Sequence, residues 1–456
     1  MIVMKFGGTS LESTEAIERA ASIVKARLDC RPVVVVSAFG KTTNKLLAIG
    51  ADAASGKGRQ ALAELYELRR YHEGLAKPLV SPSDRKELDD LFADHFRELE
   101  EIVERVVALG KLTAPTADAI AGYGERLSSK AVALAFRKLG MPSVHLDSRR
   151  LILTDHRHTQ AHPLFAETYA RISTAVGPLW NDQVVVLGGF IGSNQDGVTT
   201  TLGRGGSDFT ASLVGAALGA EEIQIWTDVD GVLTCDPTLV PDAHSVKTIS
   251  FDEAAELAYF GAKVLHPATV VPARQKNIPV RIMNSRRPEA PGTRIVSDPV
   301  PCTNLLKSVA CKRNITVVTI HSTRMLMAHG FLRRVFEIFD RHETPVDMLA
   351  TSEVSVSLTV DNTGRVPGIC AELQPFSEVS VEKDQAIVCV VGDNLRYTPG
   401  IAARVFGALQ DVNVRMISQG ASLLNLSFVV ADQDVQKAVA LLHRAFFTQL
   451  DAAVFD

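Results

Sequence analysis

Four short apolar runs, each breaking off into a loop rich in glycine and hydroxyl side chains, restrict the architecture more than anything else in this chain. They are residues 2–6 before GGTS, 32–36 before SAFGKTTN, 184–187 before GGFIGS and 223–226 before TDVDG. Runs that are almost wholly apolar belong to strands covered on both faces, the habit of parallel sheets. Helix-period stretches at 15–28, 124–139 and 207–218 lie between them, and strand–helix alternation of this kind predicts an α/β layer architecture. In open α/β sheets ligands gather beyond the carboxyl ends of the strands, so the four loops are expected to share one large site.

Other segments break the alternation. Residues 59–110 read as two long charged helices turning around Pro78 and Pro82, a helical hairpin whose Glu and Arg side chains form a solvated face. Ser81, Pro82 and Asp84 are expected to start its second helix, with the hydroxyl capping free backbone N–H groups. Residues 286–301 carry four prolines and little apolar periodicity, which predicts a linker. Beyond it the chain repeats itself: GFLRRVF at 330–336 matches GIAARVF at 400–406, and VSVSLTV at 354–360 matches LNLSFVV at 424–430, both at an offset of 70. That period marks a duplicated small domain, not a solenoid unit. Each copy reads strand, glycine loop, helix, strand, strand, as in an α+β module with helices on one face of an antiparallel sheet. At about 150 residues per domain, 456 residues make two to four domains.

Charge excludes several partner classes. Lys plus Arg number 48 against 52 Asp plus Glu, a formal net charge of −4, so no global basic field favours nucleic acid or an anionic membrane. No apolar run approaches the roughly 18–20 residues that span a bilayer, and the start MIVMKFGGTS lacks a secretory pattern, so a cytoplasmic protein is expected. Six scattered cysteines without a C-x-x-C pair read as reduced thiols. His156, His158 and His162 have no Cys or Glu at ligand spacing to reinforce them, so they read as a polar loop and no metal site is expected. No serine sits in a G-x-S-x-G elbow, which leaves hydrolase chemistry unsupported.

The chemistry is concentrated in the loops. Lys5 opens KFGGTS, where Gly7 and Gly8 would let the backbone approach a phosphate; a lysine merely opening a tight turn is an equal reading for the motif alone. No Walker A motif is present: in Ser55-Gly-Lys-Gly58 a glycine stands where Ser or Thr would meet magnesium. TLGRGGSD at 201–208 is the most specific signal, three glycines with Arg204, Ser207 and Asp208 just before an apolar helix. Such a segment binds anions at the helix N-terminus while an arginine grips a carboxylate, although Asp208 alone would suit a helix cap. WTDVDGVLTCDP places Asp228, Asp230 and Asp236 after a strand, where they could hold magnesium or ribose; Asp230-Gly231 and Asp236-Pro237 also read as turns. FGAKVLHP at 260–267 brings a second lysine beside glycine.

KFGGTS, SAFGKTTN, GGFIGS, TLGRGGSD, WTDVDGV and FGAKVLHPAT, in this order and ahead of a tandem repeat, resemble aspartate kinases over nearly the whole chain. The resemblance implies an amino-acid-kinase αβα sandwich over 1–300 and two ACT modules, at 304–385 and 386–456, that exchange a strand. It implies transfer of the γ-phosphoryl of ATP, with Mg²⁺, to the β-carboxylate of L-aspartate, the first step of lysine, threonine and methionine synthesis. Lys5 and Asp208 would be catalytic. Thr43, Glu125, Phe190, Arg204 and Ser207 would hold aspartate, with Glu125 on its ammonium and Arg204 on its α-carboxylate. Lys5, Gly7, Gly8, Thr227, Asp228, Asp236, Lys263 and Val264 would contact nucleotide.

Within that family the first ACT copy is most similar to the lysine-sensitive monofunctional class. Met325, Ala328, Phe331, Leu332, Val346, Asp347, Ser352 and Glu353 would then line an effector pocket between two subunits, with lysine as the ligand and a homodimer or higher homo-oligomer as the assembly. Two sets of departures stand out. Leu233 and Thr238 replace a tyrosine and an arginine that help hold nucleotide in that family, and Ala328 and Pro345 replace two serines. An amino-acid-sensing protein with a decayed kinase half is the alternative these departures leave open, against an intact Lys5, Glu125, Arg204, Asp208 and Lys263.

Overall fold

The computed structural model describes residues 1–261, 265–298, 301–325 and 329–456. Contacts divide them into two compact units, Met1–Gly231 with Val264–Asp298, and Val232–Lys263 with Pro299–Asp456. The 232–263 stretch, expected in the catalytic domain, groups with the C-terminal unit. The cause is hydrogen bonding: Val309 N–H donates to Thr234 O at 2.8 Å, Lys247 N–H to Val454 O at 2.7 Å, and Thr234 Oγ1 lies 2.9 Å from His443 Nε2.

In the first unit the strands run in the order Ser143–Leu146, Val184–Gly188, Pro32–Val36, Ile2–Phe6, Glu222–Thr227, Val280–Asn284, Thr293–Val296. Every pairing is parallel except the last. Phe6 stands beside Val36 and Trp226, and Val36 beside Gly188, so all four motif-bearing strands end together. Side chains alternate along each strand. Ile2, Met4, Phe6, Val34, Val36, Val184, Val186 and Trp226 enter one core with the helices Thr14–Lys25 and Tyr123–Lys138. Lys5 therefore faces the other way, toward the helix Gly206–Leu218.

The predicted hairpin is the helix pair Gly58–Ala76 and Arg85–Leu109, whose Leu65, Leu68, Phe92, Phe96 and Leu99 join that same core. Its start differs from expectation. Helix begins only at Arg85, and Ser81 Oγ accepts the Asp84 N–H at 3.2 Å while donating to Asp84 Oδ2 at 2.9 Å. Ser81 thus closes a turn ahead of the helix. The 286–301 linker is also interrupted, since Thr293–Val296 pairs antiparallel with Val280–Asn284 and buries Thr293 and Ile295. Flanking prolines obscured this short alternating run.

The second unit holds a six-stranded sheet in the order Leu349–Thr351, Ser355–Val360, Ser308–His321, Glu378–Val391, Asn425–Ala431, Met416–Gln419. Its two long central strands each serve both repeats. Residues 316–321 pair with Ser355–Val360 in the first copy, whereas 308–312 pair with 387–391, which also pair with 425–429 of the second. Irregularities between Lys312 and Val317 interrupt its pairing with Glu378–Val391, which continues on either side of them. The second copy thus takes its fourth strand from 308–312, within the span of the first module, a strand exchange of the kind the resemblance implies. Among the described residues no helix is long and apolar enough to cross a membrane.

Candidate active site

Lys5 is nearly the last residue of the central strand, and its Nζ lies 2.7 Å from Asp208 Oδ1 in the first turn of the Gly206–Leu218 helix. Both side chains are largely shielded, so each fixes the other's position. Gly205, the N-cap, has φ of 71°, a left-handed conformation that glycine takes without strain. The helix start can then turn its free N–H groups and positive dipole end toward Lys5. A carboxylate in that first turn and an ammonium beside it leave a centre suited to a multiply charged anion.

The neighbouring loops close the site. Ser37 Oγ donates to Ser207 Oγ at 3.0 Å, and the Ala38 N–H donates to Glu125 Oε1 at 3.1 Å, which joins the loop after Pro32–Val36 to the helix starts of 206–218 and 123–138. A Cβ on Gly8 would lie 2.5 Å from the Gly40 carbonyl oxygen, so only glycine permits the first and second loops to touch. Phe190 holds φ of 65°, costly for an aromatic residue, and is tied by its N–H to Thr210 Oγ1 at 3.1 Å. Such fixed strain places its ring by the cavity wall.

These elements enclose a cavity of about 280 Å³. Lys5, Thr43, Glu125, Phe190, Ser207 and Asp208, all singled out from the sequence, line it together with Gly8. Glu125 is the unusual member. It is 2% exposed, Oε1 accepts one backbone N–H and Oε2 has no hydrogen-bond partner, and burial pushes its pKa up to about 8. A buried acid with one unmet oxygen is prepared for a cationic partner. Ser37 also lines the cavity. Sequence reasoning passed it over, although its place as the first hydroxyl after a buried strand was the available signal.

Other predicted residues lie elsewhere. Arg204 is exposed between the lining residues Gly203 and Gly205 and has no ion-pair partner among the described residues. The Gly7 N–H is taken by the Trp226 carbonyl at 3.0 Å, which leaves Gly8 as the one of the pair on the cavity wall. Thr227 ends its strand and donates to Asp228 Oδ1 at 3.1 Å, with Asp228 exposed. Asp230 is occupied by Asn284 Nδ2 at 2.7 Å and by Arg287, the structural reading of that position. Asp236 belongs to the second unit, where Oδ1 accepts the N–H and hydroxyl of Thr238 at 2.8 and 2.7 Å, a turn of the anticipated kind. Lys263, Val264 and Ala328 lie outside the described residues. His158 stands 2.8 Å from the buried Asp118, which also accepts from Thr159 N–H and Thr201 Oγ1 and so knits a polar loop.

In the first repeat Met325, Phe331 and Val346 pack against the module's core, while Leu332 and Glu353 are exposed. Ser352 Oγ accepts the Ser355 N–H at 3.1 Å, and Asp347 Oδ1 takes the Lys312 ammonium at 2.8 Å. Among the described residues, those that line the Lys5–Glu125 cavity include no thiol or imidazole. Such a site orients and neutralises reactants that bring their own nucleophile.

A family model described as the amino acid kinase family matches residues 1–284, and one described as an ACT domain matches 388–446. The chain is similar to aspartokinase 1, chloroplastic, of Arabidopsis thaliana, 40% identical over 467 residues that span 98% of this chain and 80% of that protein. It is 37% identical over 460 residues to the lysine-sensitive aspartokinase 3 of Escherichia coli (strain K12), across 98% and 99% of the two chains. Among solved structures, E. coli aspartokinase III in complex with aspartate and ADP superposes with a TM-score of 0.82 at 36% identity, over 98% of this chain and 100% of that one. The same enzyme in complex with lysine and aspartate gives a TM-score of 0.84 at 37% identity, over 98% and 99%.

Proposed function

This chain belongs to the aspartokinases of the amino acid kinase family, and from that membership we propose how its own residues transfer the γ-phosphoryl of ATP to the β-carboxylate of L-aspartate, giving 4-phospho-L-aspartate. The aspartate carboxylate is already ionised at pH 7, so no strong general base is needed. The protein's work is to bring two anions together and to absorb the charge that develops in the transferring phosphoryl group.

Lys5, held by Asp208, neutralises that charge, with Gly8 letting the backbone approach the phosphates. Glu125 receives the substrate ammonium, Arg204 pairs with its α-carboxylate, and Thr43, Phe190 and Ser207 shape the pocket between them. Thr227, Asp228, Asp236, Lys263 and Val264 belong to nucleotide binding. The observation that carries this reading is the convergence of Lys5, Asp208 and Glu125 on one cavity. Mg²⁺ fits as a companion of ATP: the described residues hold no group of three His, Cys, Asp or Glu side chains to cage it, and this hard ion keeps to phosphate oxygens and a few carboxylates. When bound it would shield phosphate charge, and Asp228 is an available carboxylate.

The first module supplies regulation in this reading, with lysine as the effector, as it is a ligand of the E. coli enzyme. A homo-oligomer completes the pocket and the cytoplasm is the setting. A substrate panel tests the assignment. L-Aspartate should support ATP-dependent ADP release, L-asparagine should not, and L-glutamate, one methylene longer, should be at least about 10-fold poorer in kcat/KM. Equal rates with glutamate would move the specificity elsewhere.

A further inference from the structure

The helix Phe251–Tyr259 lies in the second unit and carries three polar anchors at a spacing of three residues, Glu253, Glu256 and Tyr259, which puts them along one side. Glu253 pairs with Lys307 at 2.8 Å, both side chains 1% exposed, and completes a capping box with Ser250. Glu256 accepts from Ser422 Oγ at 2.7 Å and Asn425 Nδ2 at 2.6 Å in the second repeat. Tyr259 is different in direction and in strength. Its hydroxyl donates to Asp347 Oδ1 in the first repeat at 3.3 Å, and the side chain is half exposed.

Asp347 is the carboxylate already assigned to the effector, and its surroundings are short of positive charge. Lys312 Nζ is shared between Asp347 Oδ1 at 2.8 Å and Asp361 Oδ2 at 2.9 Å, one ammonium against two carboxylates. Asp347 Oδ2 is buried with no hydrogen-bond partner. An arriving ammonium group supplies the missing charge, and turning the carboxylate to meet it breaks the long hydroxyl contact before the shorter one to Lys312. Tyr259 is also next to a rigid point. Gly261 has φ of 109°, and a Cβ there would lie 2.3 Å from the Cys311 carbonyl oxygen, one residue before Lys312. In sequence this end of the helix leads directly into the FGAKVLHP motif.

We propose that Tyr259 is a positioning residue through which occupation of the Asp347 site is reported to the nucleotide-binding segment that follows it. This rests on the reading of Asp347 as an effector ligand. Free of effector, the Tyr259–Asp347 contact holds the C-terminal end of the helix in the active arrangement. Effector binding removes that hold, and the change is felt as weaker use of ATP.

The test uses the full-length enzyme, with L-lysine as the probe. Calorimetry gives lysine Kd with and without a non-hydrolysable ATP analogue, and kinase assays give the KM for ATP across lysine concentrations. In the parent, lysine raises the KM for ATP and the analogue raises lysine Kd by a matching factor, as linkage requires. Tyr259→Phe removes one half-exposed hydroxyl, so folding is preserved. It should already show the raised KM for ATP without lysine, with a further change of less than about 2-fold on adding it and a lysine Kd that no longer responds to the analogue. Asp347→Asn should instead weaken lysine binding itself. A Tyr259→Phe enzyme that keeps the parent's KM and its full response to lysine overturns the proposal while leaving the effector site standing. A parent that neither binds nor responds to lysine overturns the effector reading and this proposal together.

Discussion

Lys5→Ala is expected to lower kcat by roughly 10²- to 10³-fold, by analogy with loss of one preorganised donor to a developing charge, while the KM for aspartate changes little. Lys5 stands on a central strand paired along both edges, with Pro32–Val36 and with Glu222–Thr227, and Asp208 holds its ammonium at 2.7 Å. The charge therefore needs no reorganisation when the phosphoryl group moves. Lys5→Arg should not rescue the loss, since a planar guanidinium cannot occupy a point-charge position without disturbing the Asp208 contact. Single-turnover kinetics separate this from a binding defect, because the effect belongs to the chemical step. An Ala variant with unchanged kcat would remove Lys5 from the mechanism.

The second large effect concerns Glu125. Glu125→Gln should cost about 10²- to 10³-fold in kcat/KM for aspartate, the range for removing one charge from a buried, hydrogen-bonded ion pair. The amide oxygen can still accept the Ala38 N–H, so the loops stay in place. The parent should also show a pH signature. With its pKa at about 8 through burial, Glu125 is mainly protonated in the free enzyme at pH 7. The substrate ammonium favours the ionised form, so binding releases a proton. Apparent affinity then rises about tenfold per pH unit up to pH 8 and levels above it, if this group alone governs binding. Stability of the free protein follows the opposite course: a carboxyl with a raised folded-state pKa contributes stability present below its unfolded value near 4.5, and lost as pH rises through 8. Gln should flatten both profiles. Calorimetric titrations in buffers of different ionisation enthalpy count the proton, and zero release in the parent would contradict the account.

The parallel sheet was legible because its strands are almost wholly apolar and run into loops rich in glycine and hydroxyl side chains, a signal that survives without knowledge of the partners. Lys5, Ser207 and Asp208 followed from their loops, whereas Thr43, Glu125 and Phe190 came only from the family that those loops resemble. What stayed hidden depends on long-range pairing. Nothing local in 232–263 says that Thr234 will meet His443 and Val309. The exchange of 308–312 between repeats could be anticipated from the family, yet its registers arise only when the two long strands meet. Ser37 was missed because one hydroxyl after a strand is common, and its bond to Ser207 spans 170 residues. Tyr259 carried no sequence signal, since an exposed tyrosine at a helix end becomes informative only beside Asp347.

The most direct measurement is formation of aspartyl phosphate from ATP, Mg²⁺ and L-aspartate, trapped with hydroxylamine as the hydroxamate and assayed with and without millimolar lysine or threonine. The account predicts hydroxamate that requires all three reactants and falls with lysine alone. No hydroxamate from well-folded protein would contradict it, and would leave the chain a sensor built on an inactive kinase fold.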